Sequence, residues 1–229
     1  MAGPDTKGLE PEMTSRKRTA ILISGRGSNM MSLVEAARSP VYPAEIVAVI
    51  SNRPDAAGIQ WAKAQGLATV ALDHKAYKTR DAFEADLQKT LEKAHVELIA
   101  LAGFMRLMTP GFVNAWQNRM INIHPSLLPS FKGLHTHEQA LAAGVKVAGC
   151  TVHFVRPEMD VGPIIAQAAV PVLPGDTADT LGARVLAAEH KLYPNALRLV
   201  ASGLAVVNGE KVTISQDVNE TSPLFSPNL

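Results

Sequence analysis

A chain of 229 residues can bury a sizeable core, as one large domain or two small ones. With 47% hydrophobic and 19% charged residues, and 22 basic against 21 acidic side chains, it reads as an ordinary globular protein whose net charge of +1 recruits neither nucleic acid nor an anionic membrane. No apolar run approaches the roughly 18 residues of a membrane span and the first residues lack the apolar centre of a signal peptide, so the expected setting is cytoplasmic.

Residues 1–16 are polar and aperiodic and are expected to be a flexible tail, as are residues 215–229. Between them, apolar runs alternate with helical patterns. "TAILISG" is expected as a buried strand, "NMMSLVEAARS" as a helix, "EIVAVISN" as a strand, "AGIQWAKAQG" as a helix stopped by Gly66, and "ATVALD" as a strand. "TRDAFEADLQKTLEKAH" has helical spacing and "VELIALAGF" is the next strand. This is the alternation of a doubly wound half with a parallel sheet.

Thr109 and Pro110 form a helix start for "GFVNAWQN", and "MINIHP" is a further strand. Thr136 and Gln139 carry a capping-box signature ahead of "HEQALAAG", which Gly144 would stop. "KVAGCTVHFV" and "PIIAQAAVPV" are long β runs. The stretch from Thr177 to Ala201 is helical with a bend expected at Pro194, and Asn208-Gly209 marks a hairpin turn in "LAVVNGEKVTI".

Three places carry chemistry. "ISGRGSNM" sets Gly25, Gly27, Ser28 and Asn29 between a strand and a helix, where glycine backbone and unpaired helix-start N–H groups can seat a phosphate. It is not a dinucleotide fingerprint, since Met30 occupies the third glycine position and the second strand ends in Asn52 rather than an acid. A tight turn without ligand is the competing reading.

Asn122 and His124 are two apart, so on a strand they share a face. An amide N–H and an imidazole N–H side by side can donate to a carbonyl oxygen that turns negative when the carbon is attacked. Asp160, in the turn "RPEMDVGP", would favour the imidazolium and orient it if the fold brings the two together. On residue types alone, a structural Asn–His pair and an ordinary turn Asp remain open.

A metal site is not expected. His135, His137, His124, His153 and Asp160 lack any recognised ligand spacing, and Cys150 sits in an apolar run as a small buried hydrophobe. No Gly-x-Ser-x-Gly elbow is present, so covalent catalysis is not expected either.

The stretches "ILISGRGSN", "VISNRPDAAG", "LAGFMRLMTPGFV", "INIHPSLLPSFKGLHTHEQAL", "TVHFVRPEMDVGPIIAQ" and "ARVLAAEHKLYP" together resemble the folate-dependent phosphoribosylglycinamide formyltransferase family, across about residues 18–214. The resemblance implies an α/β fold, Rossmann-like and doubly wound, with a mostly parallel sheet and an antiparallel C-terminal portion, as a single domain over residues 17–214 that acts as a monomer or homodimer. It also implies transfer of a formyl group from 10-formyltetrahydrofolate to the amine of glycinamide ribonucleotide, without metal, by Asn122, His124 and Asp160. The ribonucleotide would meet Gly27, Ser28, Asn29, Asn122 and Glu189. The folate would lie along Met105, Arg106, Leu107 and Met108 and the turn Arg156, Pro157, Glu158, Met159 and Asp160, with Arg80 at its acidic tail.

The chain departs from the family at Arg26, where Asn is frequent, and at Val161, where smaller residues are frequent. The rival within this chemistry is formyltetrahydrofolate deformylase, in which water attacks; that family adds an N-terminal domain. Methionyl-tRNA formyltransferase adds a C-terminal nucleic-acid-binding domain, and a noncatalytic folate- or nucleotide-binding module would not need a proton donor beside an amide.

Overall fold

The structure, a computed structural model, describes residues 15–215 and Ser226. The expected tails at 1–16 and 215–229 lie outside the described residues except for positions 15, 16, 215 and 226. Arg16 is bonded to the carbonyls of Ala37 and Ala44.

The chain runs β1 (Lys17–Ile23), α1 (Ser28–Ala37), β2 (Ala44–Ser51), α2 (Ala57–Ala64), β3 (Thr69–Ala71), α3 (Arg80–Lys93), β4 (Leu98–Leu101), α4 (Pro110–Ala115) and β5 (Met120–His124). It continues through α5 (Thr136–Ala142), β6 (Val147–Phe154), β7 (Ile164–Pro171), α6 (Ala178–Ala201), β8 (Ala205–Asn208) and β9 (Lys211–Ile214). One 3-10 turn, His74–Ala76, follows β3 and has no signal in the apolar pattern.

Seven strands form one sheet in the order β3-β2-β1-β4-β5-β6-β7, with β8 and β9 as a separate hairpin. Pairings from β3 through β5 are parallel, while β5 with β6 and β6 with β7 are antiparallel. The fold expected from the resemblance is the one observed.

Strand β1 reads as unbroken apolar sequence because both of its faces are covered. Ile21 and Ile23 pack with Met30, Leu33 and Tyr193 under α1 and α6. Ala20 and Leu22 pack on the other face with Phe83, Leu87 and Leu91 of α3 and Phe112 and Trp116 around α4. Each fully buried Ile or Leu contributes about 1.5–3 kcal/mol, so the central strands are the most firmly held part of the frame.

Several boundaries differ from the sequence pattern. Strand β4 spans four residues, not nine, because the chain leaves the sheet after Leu101 and turns at Gly103, whose φ is 73°. Thr136 does not cap α5; His135 stands at the N-cap in the left-handed region and the Thr136 hydroxyl instead donates to the Pro125 carbonyl at 2.9 Å. The capping box is at α6, between Thr177 and Thr180. Helix α6 continues through Pro194 to Ala201, and the Pro194 carbonyl accepts the Tyr42 hydroxyl at 2.6 Å. The hairpin turn sits one residue later than expected. Asn208 pairs with Lys211, and the two loop residues are Gly209 and Glu210.

Strand order reverses its direction of growth between β1 and β4, and in open α/β sheets ligands gather at the carboxyl ends of strands flanking such a point. The loops after β1, β4 and β5 all leave from that end of the sheet.

Candidate active site

Strand β5 presents Asn122 and His124 at its end because its two neighbours stop at different heights. Pairing with β4 ends at Asn122, whereas β6 continues past it to pair Thr151 with His124. Ile121 and Ile123 face the core under α6, so alternation puts Asn122 and His124 on the opposite side.

Asp160 meets them there. His124 Nδ1 lies 3.5 Å from Asp160 Oδ2, and the side chains are 7% and 9% exposed. The Gly133 N–H donates to the same carboxylate oxygen at 2.9 Å. The other ring nitrogen, His124 Nε2, donates to the Phe131 carbonyl at 3.0 Å. A backbone carbonyl only accepts, so Nε2 carries a hydrogen and the ring presents Nδ1 to the carboxylate.

A fourth member, His153, sits directly across from Asn122 in the β5–β6 ladder. Its Nδ1 donates to the Phe154 carbonyl at 3.0 Å, which leaves Nε2 as an acceptor for Asn122 Nδ2 at 3.3 Å. Burial holds the His153 imidazole below the usual histidine pKa, so it stays neutral and keeps that lone pair. Asn122 is thereby fixed, and among the described residues its second Nδ2 hydrogen has no partner. Nothing in the apolar pattern singled out His153 for this role, since antiparallel register is set by pairing rather than spacing.

The loop after β1 is built for backbone approach. Gly27 has φ 72° at the start of α1, and no side chain caps the first-turn N–H groups. A Cβ at Gly58, the second residue of α2, would lie 2.6 Å from Ile23 and 3.0 Å from the carbonyls of both Gly25 and Arg26. Its N–H donates to Gly25 O at 3.1 Å, so α2 seats the loop from below. Arg26 itself is exposed beside it.

Asn29 and Glu189 come together across the site. Asn29 Nδ2 donates to Glu189 Oε2 at 2.6 Å, both residues are buried, and Asn29 Oδ1 has no partner among the described residues. That orphan acceptor suits a ligand hydroxyl. Burial pushes the Glu189 carboxyl up, with the Asn29 hydrogen bond opposing the rise. Its folded-state value therefore stands above the unfolded one. The neutral acid favours folding, and that stability is lost as pH rises through the raised value. Glu189→Gln is expected to raise Tm by about 2–4 °C at neutral pH and to leave it unchanged below about pH 4. A calorimetric series over pH checks this; an equal shift at every pH would point to packing instead.

Between β4 and α4, side chains alternate in direction. Met105 is 67% and Leu107 58% exposed, while Met108 packs into the core and the Arg106 guanidinium lies 4.8 Å over the Phe83 ring. Glu84 on α3 accepts from the Thr109 N–H at 2.7 Å and from its hydroxyl. The segment is tied to the β1 loop through Ser24, which accepts the Met105 N–H at 2.8 Å and donates to Asn52 Oδ1 at 2.6 Å. Arg80 is exposed at the start of α3.

In the Asp160 turn, Pro157, Glu158 and Met159 are exposed, Val161 is 44% exposed, and Asp160 adopts φ 56°. The Arg156 side chain turns to Glu210. His135 pairs with Glu138 and His137 packs on Gly182, away from the trio. Cys150 is buried, which pushes its thiol up to about 12 and keeps it unreactive. Among the described residues no group of three or more His, Cys, Asp and Glu side chains could hold a metal ion, and no helix is long and apolar enough to cross a membrane.

The sequence pattern of the Formyl transferase family matches residues 17–197, and the chain belongs to that family. Phosphoribosylglycinamide formyltransferases are among the chain's relatives. It is 43% identical to the phosphoribosylglycinamide formyltransferase of Escherichia coli strain K12, over 80% of this chain and 86% of that protein. A crystal structure of glycinamide ribonucleotide transformylase 1 from Symbiobacterium toebii superposes with a TM-score of 0.84 at 48% identity, over 87% of this chain and 94% of that one. The trifunctional purine biosynthetic protein adenosine-3 of Bos taurus is 50% identical over 88% of this chain, which spans only 20% of that relative's length. A formyltetrahydrofolate deformylase from Pseudomonas syringae shares the fold at 25% identity, with a TM-score of 0.81 over 88% of this chain and 67% of that one.

Proposed function

We propose that the chain transfers the formyl group of 10-formyltetrahydrofolate to the primary amine of glycinamide ribonucleotide, giving formylglycinamide ribonucleotide and tetrahydrofolate, as a cytoplasmic step of purine synthesis. The observation that carries this reading is the cluster of Asn122, His124 and Asp160 beside a loop and helix start suited to phosphate.

The ribonucleotide phosphate lies against the N–H groups of Gly27, Ser28 and Asn29, and a ribose or glycinamide donor satisfies Asn29 Oδ1 and Glu189. The folate lies between Met105–Met108 and the turn Arg156–Asp160, its ring against exposed Met105, Leu107 and Met159, with Arg80 at its carboxylate tail. The substrate amine attacks the formyl carbon, and the C=O electron pair moves to oxygen. That oxyanion takes the free Asn122 Nδ2 hydrogen and the His124 Nδ1 hydrogen. At 3.5 Å the His124–Asp160 contact is longer than a made hydrogen bond, which leaves this hydrogen available to a formyl oxygen. Asp160 supports the positive imidazolium and, through water, accepts the proton of the attacking amine and passes it to the folate nitrogen as the C–N bond breaks. Every residue named comes from one chain, so a monomer or a homodimer serves equally.

The test is the absorbance of a 10-formyl-folate donor incubated with the protein. Loss of donor is expected only when glycinamide ribonucleotide is present. Equal loss without it would make water the acceptor and the protein a deformylase.

A further inference from the structure

We infer that the β8–β9 hairpin braces the Asp160 turn through Glu210, which makes Glu210 a positioning residue for the folate side of the site; this rests on the function proposed above.

The turn begins at Arg156, whose side chain is only 9% exposed although it lies at the surface of the sheet. Its Nε meets both carboxylate oxygens of Glu210, at 3.3 and 3.2 Å, and Nη1 donates to the Val155 carbonyl at 3.2 Å. The aliphatic stem covers the far end of the same turn, because a Cβ built on Gly162 would approach Arg156 Cγ to 3.3 Å. One side chain therefore spans both ends of the segment that holds Asp160. Asp160 needs such a frame, since a non-glycine residue at φ 56° persists only where its surroundings over-determine it.

The hairpin can act as an anchor. Ala205, Val207 and Val212 pack against the core, and the Ser215 N–H donates to Leu204 O at 2.9 Å across its open end. Glu210 occupies its tip, the second of the two loop residues, and lies C-terminal to the residues that the family pattern matches. Its side chain is 67% exposed and belongs to neither the trio nor the ribonucleotide loop.

Glu210→Gln removes the charge from an exposed position, so the variant keeps its fold. At low ionic strength the KM for the formyl donor is expected to rise about fivefold, with the KM for the ribonucleotide unchanged. The difference shrinks at high salt as the wild-type value climbs toward the variant's, because a half-exposed ion pair is screened. Glu210→Asp recovers part of the loss. Independently of turnover, hydrogen exchange at the Gly133 N–H, which is bonded to Asp160, should accelerate in Glu210→Gln. An unchanged Gly133 exchange rate, or two KM values that move together, would overturn the brace. Wild-type protein that transfers no formyl group would overturn the proposed function instead, and the exchange measurement would still decide the role of Glu210.

Discussion

Turnover in His124→Ala is expected to fall by about a thousandfold while the protein stays folded. A single oxyanion donor is worth about 10²–10³ in rate, and in the proposed reaction His124 is that donor and also the ring that Asp160 faces, so the loss is expected at the upper end. The fold survives because His124 lies past the end of pairing with β4, and the losses are confined to Asp160, which keeps the Gly133 N–H, and the Phe131 carbonyl, left without its donor. That orphaned acceptor costs about 1–3 kcal/mol, seen as a lower Tm. Single-turnover kinetics with saturating substrates isolates the chemical step. A loss under tenfold, or an unfolded variant, would return His124 to a structural role.

The second large effect is expected from a residue that touches no substrate. A Cβ on Gly162 would lie 1.7 Å from the Phe154 carbonyl oxygen, and the backbone there cannot yield because Phe154 N–H is bonded to Pro163 O at 2.9 Å. Gly162→Ala must push the turn outward and carry Asp160 from His124. We expect kcat/KM for the formyl donor to fall at least about a hundredfold, with a loss of about 1–3 kcal/mol in stability. Ribonucleotide affinity, which the proposed function assigns to the β1 loop and α6, should hold. Gly111→Ala is the control, since a Cβ there meets nothing nearer than Thr109 Oγ1 at 3.8 Å. Donor kinetics for the two variants, read with their melting curves, separates a displaced turn from general destabilisation; equal behaviour would remove the steric argument.

What the sequence revealed follows from what each signal measures. β1, β2 and β5 were legible because burial on two faces demands unbroken apolar runs, and Asn122 with His124 stood out as polar breaks in such a run. Same-face placement follows from the two-residue period and needs no tertiary knowledge. The meeting of His124 with Asp160 lies beyond the reach of spacing, because it depends on how the turn after β6 folds back. His153 was invisible as a site residue, since its partner is set by antiparallel register. Gly58 and Gly162 carry no signal in the sequence pattern, because the backbone crowding that requires them comes from segments elsewhere in the chain or across a turn. Thr136 carried a capping signature, yet its hydroxyl found the Pro125 carbonyl instead. The pairing of Arg156 with Glu210 was equally out of reach, because it depends on where the β8–β9 hairpin lands.

The Asn29–Glu189 bond joins residues 160 positions apart. During synthesis the loop after β1 emerges long before the helix that completes it. A domain generally folds as a unit, so the Asn29–Glu189 pair forms only once α6 has been made and packed. Tyr193 on that same helix is fully buried and donates to the carbonyls of Leu101 and Ile121, at the ends of β4 and in β5. The arrival of α6 is therefore one event that both brings Glu189 to Asn29 and locks the two central strands, and a chain cut short of α6 is expected to lack the proposed site even where its parallel strands have formed.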